Sequence, residues 1–229
     1  MKKEISNQVK WPSIQTALLF SKINPGELAP MLMCLGAYEK SYQKDEFIFL
    51  NKGEKKIALV IVGSVQMLKG DIKGEEMIFD IIKENEVFGE VYVASDEDAS
   101  VTYQAISDTM VLMMPYDKVL HTCAMDCMFH RQLIENMVQT IAKKNLRLME
   151  KIEITSKKTL REKILAYLYI EEKKDKGRYI ELPMGRIAWA QYLNANRSAL
   201  TRELKKIKEE GIIDYERNTF MILRRENNE

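Results

Sequence analysis

The sequence predicts an α+β chain built from an N-terminal antiparallel β-roll of jelly-roll-like form, a long central dimerisation helix and a C-terminal winged helix-turn-helix. Three observations predict it. Between Tyr38 and Pro115, short apolar or alternating runs are broken by glycines and acidic turns. From Tyr116 to Thr155 there is neither proline nor glycine, and apolar residues recur at helical spacing. Beyond Lys157, two short amphipathic segments meet at Asn194-Ala195-Asn196. The expected boundaries are residues 1–124 for the β-roll, 125–156 for the helix and 157–229 for the winged module.

The N-terminal stretch Trp11 to Leu35 is expected to form one or two short helices that cover the roll. The candidate strands are Glu46 to Leu50, Ile57 to Val62, Val65 to Lys69, Glu76 to Ile82, Thr102 to Ile106 and Met110 to Met114. A parallel sheet would need helices between such strands, and glycines at 53, 63, 70, 74 and 89 mark turns instead.

In the helical stretch, Ile134, Val138, Ile141, Asn145, Leu148 and Ile152 follow steps of four and three. That alternation underlies the repeat of about 3.5 residues that joins two helices along a seam. Asn145 is the polar member, suited to fixing register between paired helices. The other reading of the same stripe is that it packs onto its own β-roll.

The last region opens with Leu160, Ile164, Leu165 and Leu168 on one helical face, followed by a charged loop and a short strand at Tyr179 to Leu182. In the first motif helix, Ile187, Ala188, Gln191 and Tyr192 are spaced to face one way; in the second, Leu200, Leu204 and Ile207 do the same. Asn194 suits a left-handed turn and Asn196 can cap the second helix. Gly211 ends that helix, and Ile212 to Tyr215 can pair with Phe220 to Leu223. The opposite face carries Arg197, Ser198, Thr201, Arg202 and Lys205, which suit base edges and phosphates. An ordinary solvated helix face would look similar.

Charge favours the first of these. Residues 1–142 carry 14 basic and 20 acidic side chains, whereas residues 143–225 carry 21 and 12. A basic C-terminal module suits double-stranded DNA, and a homodimer suits a palindromic site. At 229 residues and 46% hydrophobic, the chain can build two cores. No run reaches the roughly 18 apolar residues of a membrane span, so no membrane partner is expected. Met1 to Phe20 has no secretory pattern, and the odd set Cys34, Cys123 and Cys127 has no disulfide framework. A cytoplasmic location is expected.

The order of parts resembles the Crp/Fnr superfamily of bacterial transcription regulators, from about Pro25 to Leu223. GEKKIALVIVGSVQML, the following Phe88-Gly89-Glu90 and NRSALTREL at Asn196 to Leu204 carry the resemblance. It implies a β-roll that senses an effector, a dimer helix that transmits the signal and two recognition helices that read DNA, with RNA polymerase as a further partner. It places Arg197 and Arg202 on guanines and Arg186 near a phosphate. Cyclic-AMP-binding members carry Glu where this chain has Ser198, so the same DNA sequence is not expected.

The sensor departs further. By this resemblance Gly89, Glu90 and Ser100 are the effector-binding positions, but the family's phosphate arginine is Ala99 here. Asp96, Glu97 and Asp98 stand beside it. Losing a bidentate cation and gaining carboxylates argues against cyclic AMP. The four-cysteine iron–sulfur cluster of oxygen-sensing members is not expected either, since only Cys34 lies in the N-terminal region. His121, Cys123, Cys127 and His130 form a weak metal, haem or redox candidate, with apolar packing as the simpler reading. No cofactor is therefore assigned. The chain has no phosphate-cradling glycine loop, HExxH or nucleophile elbow, which speaks against an enzyme. The alternative function is a small-molecule or metal/redox-binding signalling protein whose winged helix contacts protein.

Overall fold

Steric and hydrogen-bonding demands of the apolar runs produce two four-stranded sheets in the first half of the chain. The computed structural model describes residues 14–50, 55–70, 76–95, 101–120, 128–174, 179–182 and 184–224. It divides into two compact units, Met1–Ala142 and Lys143–Glu229.

In the first unit, a 3-10 turn at Leu18–Phe20 precedes α1 (Pro25–Leu35). Proline at the first helical position costs no hydrogen bond, and Gly36 closes the helix at φ +64°, a conformation other side chains resist. Then come β1 (Tyr38–Tyr42), β2 (Phe47–Ile48), β3 (Lys56–Val62), β4 (Val65–Gly70), β5 (Glu76–Ile82), β6 (Val87–Phe88), α2 (Glu90–Ser95), β7 (Val101–Ala105), β8 (Thr109–Pro115) and α3 (Tyr116–Leu120). One sheet has the order β1-β8-β3-β6 and the other β2-β7-β4-β5, with antiparallel pairing throughout.

Strand β3 explains the layering. Its residues alternate between two cores: Ile57, Leu59 and Ile61 join Leu28, Leu32 and Leu133, whereas Ala58 and Val60 join Val65, Ile82 and Phe88. The first sheet is thus covered by helices on one face and by the second sheet on the other. At the β3–β4 turn Gly63 has φ +90°, and a Cβ there would lie 2.5 Å from the Asp108 carbonyl oxygen. Only glycine fits that approach.

Helix α4 (Met128–Thr155) begins in the first unit, where Leu133 and Met137 are buried, and ends in the second, where Ile154 is buried. Asn136 anchors its first half. Its Nδ2 donates to the Leu19 and Ser21 carbonyls at 2.9 and 2.7 Å, and its Oδ1 accepts from Gln132 at 3.0 Å.

The second unit contains α5 (Leu160–Lys174), β9 (Ile180–Glu181), α6 (Arg186–Tyr192), α7 (Arg197–Glu209), β10 (Ile213–Glu216) and β11 (Thr219–Ile222). A reciprocal capping box starts α5: the Glu162 N–H donates to Thr159 Oγ1 at 3.2 Å, and the Thr159 N–H donates to Glu162 Oε2 at 3.1 Å. The sheet order β10-β11-β9 places the hairpin beside the short strand, and Trp189, Leu168, Leu204 and Phe220 share its core.

The sequence-based expectations differ from this fold at identifiable points. Strands β1 and β6 and helix α2 are additions to the expected elements, and the strand expected over Glu46 to Leu50 contracts to Phe47–Ile48. In β1 only Tyr42 is buried, so no alternation announces it; β6 and α2 are too short to show a period.

Candidate nucleic-acid interface

The turn between α6 and α7 is built by its two asparagines. Asn194 adopts φ +53°, which lets the Ala195 N–H reach back to the Ala190 carbonyl at 2.9 Å. Asn196 is extended, and its Oδ1 accepts the Ala199 N–H and the Ser198 hydroxyl, each at 2.8 Å. This satisfies a backbone donor that the first helical turn would leave unpaired. At the other end the Ile212 N–H bonds to the Ile207 carbonyl across Gly211, which has φ +71°.

Helix α7 divides cleanly into faces. Leu200, Leu204 and Ile207 are buried, whereas Asn196, Arg197, Ser198, Thr201, Arg202 and Lys205 are exposed. All of these exposed residues but Lys205 line one surface concavity of about 640 Å³. Thr201 Oγ1 donates to the Arg197 carbonyl at 2.9 Å. Arg202 donates through Nε to the Ser198 carbonyl at 3.3 Å, a bond that uses none of its Nη protons. Those protons supply the two-pronged geometry that matches a guanine edge. Lys205 lies 3.6 Å from Glu209, an exposed pairing that competes weakly with a phosphate.

Arg186, the other expected DNA residue, is placed differently. Its guanidinium carbon lies 4.7 Å from the Phe220 ring centroid, 5.0 Å from Tyr215 and 5.6 Å from Trp189, and its Nη2 donates to the Arg217 carbonyl. Burial lowers its pKa from the ordinary arginine value. Sequence reasoning misses this cage, because Tyr215 and Phe220 read only as strand residues; it expects the wing to hold DNA backbone but does not single out Arg217, exposed in the β10–β11 turn.

In the first unit, Gly89 has φ +89°, and a Cβ there would come within 2.2 Å of Leu50. Glu90 begins α2 and is buried, close to Tyr103 of β7. Burial, then the Glu90 charge, pushes the Tyr103 phenol well above its ordinary pKa, while its ring packs 5.0 Å from Phe88. Ala99, Ser100 and the acidic Asp96, Glu97 and Asp98 lie outside the described residues.

Along α4, Val138, Ile141, Asn145, Leu148 and Ile152 are exposed within the single chain and Ile134 is half-buried. On the adjacent face Leu133, Asn136, Met137 and Thr140 are buried, with Leu133 and Met137 in the core that Ile57, Leu59 and Leu112 also join. His130 is buried on α4, and His121, Cys123 and Cys127 lie outside the described residues. Among the described residues, no helix is long and apolar enough to cross a membrane.

Comparison with known proteins bears on both units. Residues 39–126 match the cyclic nucleotide-binding domain family, and residues 162–227 match the Crp-like helix-turn-helix domain family. The structure is similar to that of a CooA mutant from Carboxydothermus hydrogenoformans, with a TM-score of 0.61 and 18% identity over 90% of each chain. It is similar to the c-di-GMP responsive global regulator CLP from Xanthomonas campestris, with a TM-score of 0.61 and 16% identity over 88% of this chain and all of that one. At such identities the likeness is one of fold. A stretch of 91 residues is 31% identical to the potassium channel KAT1 of Oryza sativa subsp. japonica, 40% of this chain but 12% of the channel. With the roll, the long helix and the winged module in one order, and both family matches falling on them, the chain belongs to the Crp/Fnr superfamily of transcription regulators, which are not enzymes, and joins a cyclic-nucleotide-binding-type sensor domain to a helix-turn-helix DNA-binding domain.

Proposed function

We propose that this regulator works as a homodimer that reads a palindromic site in double-stranded DNA, and that an effector in the β-roll sets the spacing of its two recognition helices. The exposed polar face of α7 carries the reading: its apolar residues are consumed by the core, leaving Arg197, Ser198, Thr201, Arg202 and Lys205 to solvent. Arg197 and Arg202 contact bases, Ser198 and Thr201 tune the choice, and Lys205 holds backbone.

The exposed stripe on α4 supports pairing with a second copy. Val138 is 62% and Ile152 66% exposed, and burying such side chains along a helical seam is favourable. The seam is also the element with two alternative arrangements, because an effector shifts the protein only by binding one arrangement better. The half-sites then lie about 34 Å apart, one turn of DNA.

The effector is a molecule other than cyclic AMP. Ala99 replaces the cation that holds the cyclic phosphate in family members, and Glu90 is buried beside Tyr103. The protein acts in the cytoplasm, where DNA and RNA polymerase are accessible to it. Selection of bound duplexes from a random library, with sedimentation equilibrium on the same sample, tests the reading. An enriched palindrome bound by two chains supports it; a monomer without sequence preference contradicts it. Mass spectrometry of the native protein, paired with calorimetric titration of cyclic AMP, tests the sensor: retention of another small molecule and no heat with cyclic AMP are expected.

A further inference from the structure

We propose that Arg186 is a positioning residue that fixes the wing turn, and that the phosphate contact at this edge of the winged module is made by Arg217. The inference rests on the DNA-binding reading and refines it. Arg186 stands at the start of α6, where the resemblance placed a phosphate contact. Its charge is already engaged on three ring faces, those of Trp189, Tyr215 and Phe220, and its Nη2 donates to the carbonyl of Arg217. Its Nη1 is buried inside this cage, which withholds that nitrogen from a phosphate unless the side chain shifts.

The receiving turn needs such support. Arg217 adopts φ +52°, a left-handed conformation that residues other than glycine and asparagine populate sparingly. Two successive carbonyls of the turn accept donors from outside the hairpin. The Leu182 N–H bonds to Asn218 at 2.9 Å, and Arg186 bonds to Arg217. Backbone held at both points fixes where the Arg217 side chain leaves the surface. That side chain is exposed, and among the described residues no ion pair engages it. A planar, permanently charged group on a fixed turn is suited to a phosphate oxygen, whereas a caged one is suited to holding the turn.

A double-mutant cycle on the full-length protein separates the roles. Affinity for a duplex selected by the parent protein is measured over a salt series for Arg186→Ala, Arg217→Ala and the double variant. Removing one phosphate neutralisation lowers the slope of log affinity against log salt by about 0.9 for each chain bound. If Arg186 acts through Arg217, the two single variants and the double variant all remove the same phosphate neutralisation, and the slope per chain falls by about 0.9 in all three. A fall of about 1.8 per chain in the double variant means that the two arginines meet phosphates independently and overturns the proposal, as does an unchanged slope in Arg217→Ala. Should Arg186→Ala fail to fold, Arg186→Lys replaces it in the cycle. Lysine keeps a point charge able to meet a phosphate but not the planar donor stacked in the cage, so a slope equal to the parent's also overturns the proposal. A parent protein whose binding has no salt dependence would instead refute the DNA-binding reading itself.

Discussion

The Asn196 side chain accepts the Ala199 N–H at 2.8 Å and thereby starts α7 at the point where its exposed face begins. The same oxygen holds the Ser198 hydroxyl at 2.8 Å, so the cap also orients the first residues offered to DNA. Asn196→Ala removes the acceptor and should cost about 1 kcal/mol of stability. Thermal unfolding measures that cost. Binding to the selected duplex should weaken as well, since the first helical turn must then be ordered on contact.

Asn136 has a comparable role in the first unit, with both amide protons spent on the Leu19 and Ser21 carbonyls. Asn136→Leu leaves those acceptors without a donor in an apolar setting and should destabilise the protein by about 1–3 kcal/mol. Denaturant titration checks this. DNA affinity measured well below the transition should change little, which separates the anchor from the interface.

The sequence points to a different asparagine on this helix, and the reason is instructive. Asn145 falls on the step-of-four-and-three stripe and is exposed, whereas Asn136 lies one face away and is buried against carbonyls more than a hundred residues earlier. Periodicity along one helix reports a face; it carries no information about which distant backbone that face meets. The faces of α7 and the turn at Asn194 are legible because hydrophobic spacing and cap chemistry are local. Strand β1 is not, because its residues owe their extended form to pairing with β8, from Tyr38 opposite Met113 to Tyr42 opposite Thr109. The surroundings of Arg186 are hidden for the same reason: its cage closes only when β11 brings Phe220 beside α6.

Val138→Asp and Ile152→Asp place charges on the exposed stripe of α4. Both positions are open to solvent in the single chain, so the variants should fold normally. Pairing should fail, because the buried seam would have to accept two like charges. Sedimentation equilibrium should then report monomers with unchanged far-ultraviolet circular dichroism, and persistence of dimers would remove this seam from the account.

Lys205→Ala should weaken binding to every duplex by a similar factor. Its ammonium is a point charge on the exposed face of α7, paired only loosely with Glu209 at 3.6 Å. The slope of log affinity against log salt should fall by about 0.9 for each chain bound, with sequence preference intact.

The most direct test of the account is the DNA preference of Arg202→Ala, measured beside the parent protein by selection from a fully randomised library. The parent should enrich a palindrome, and the variant should lose about 1–3 kcal/mol at that site and accept any base at the position Arg202 reads. Identical preference and affinity in the two proteins would contradict the claim that the exposed face of α7 reads DNA.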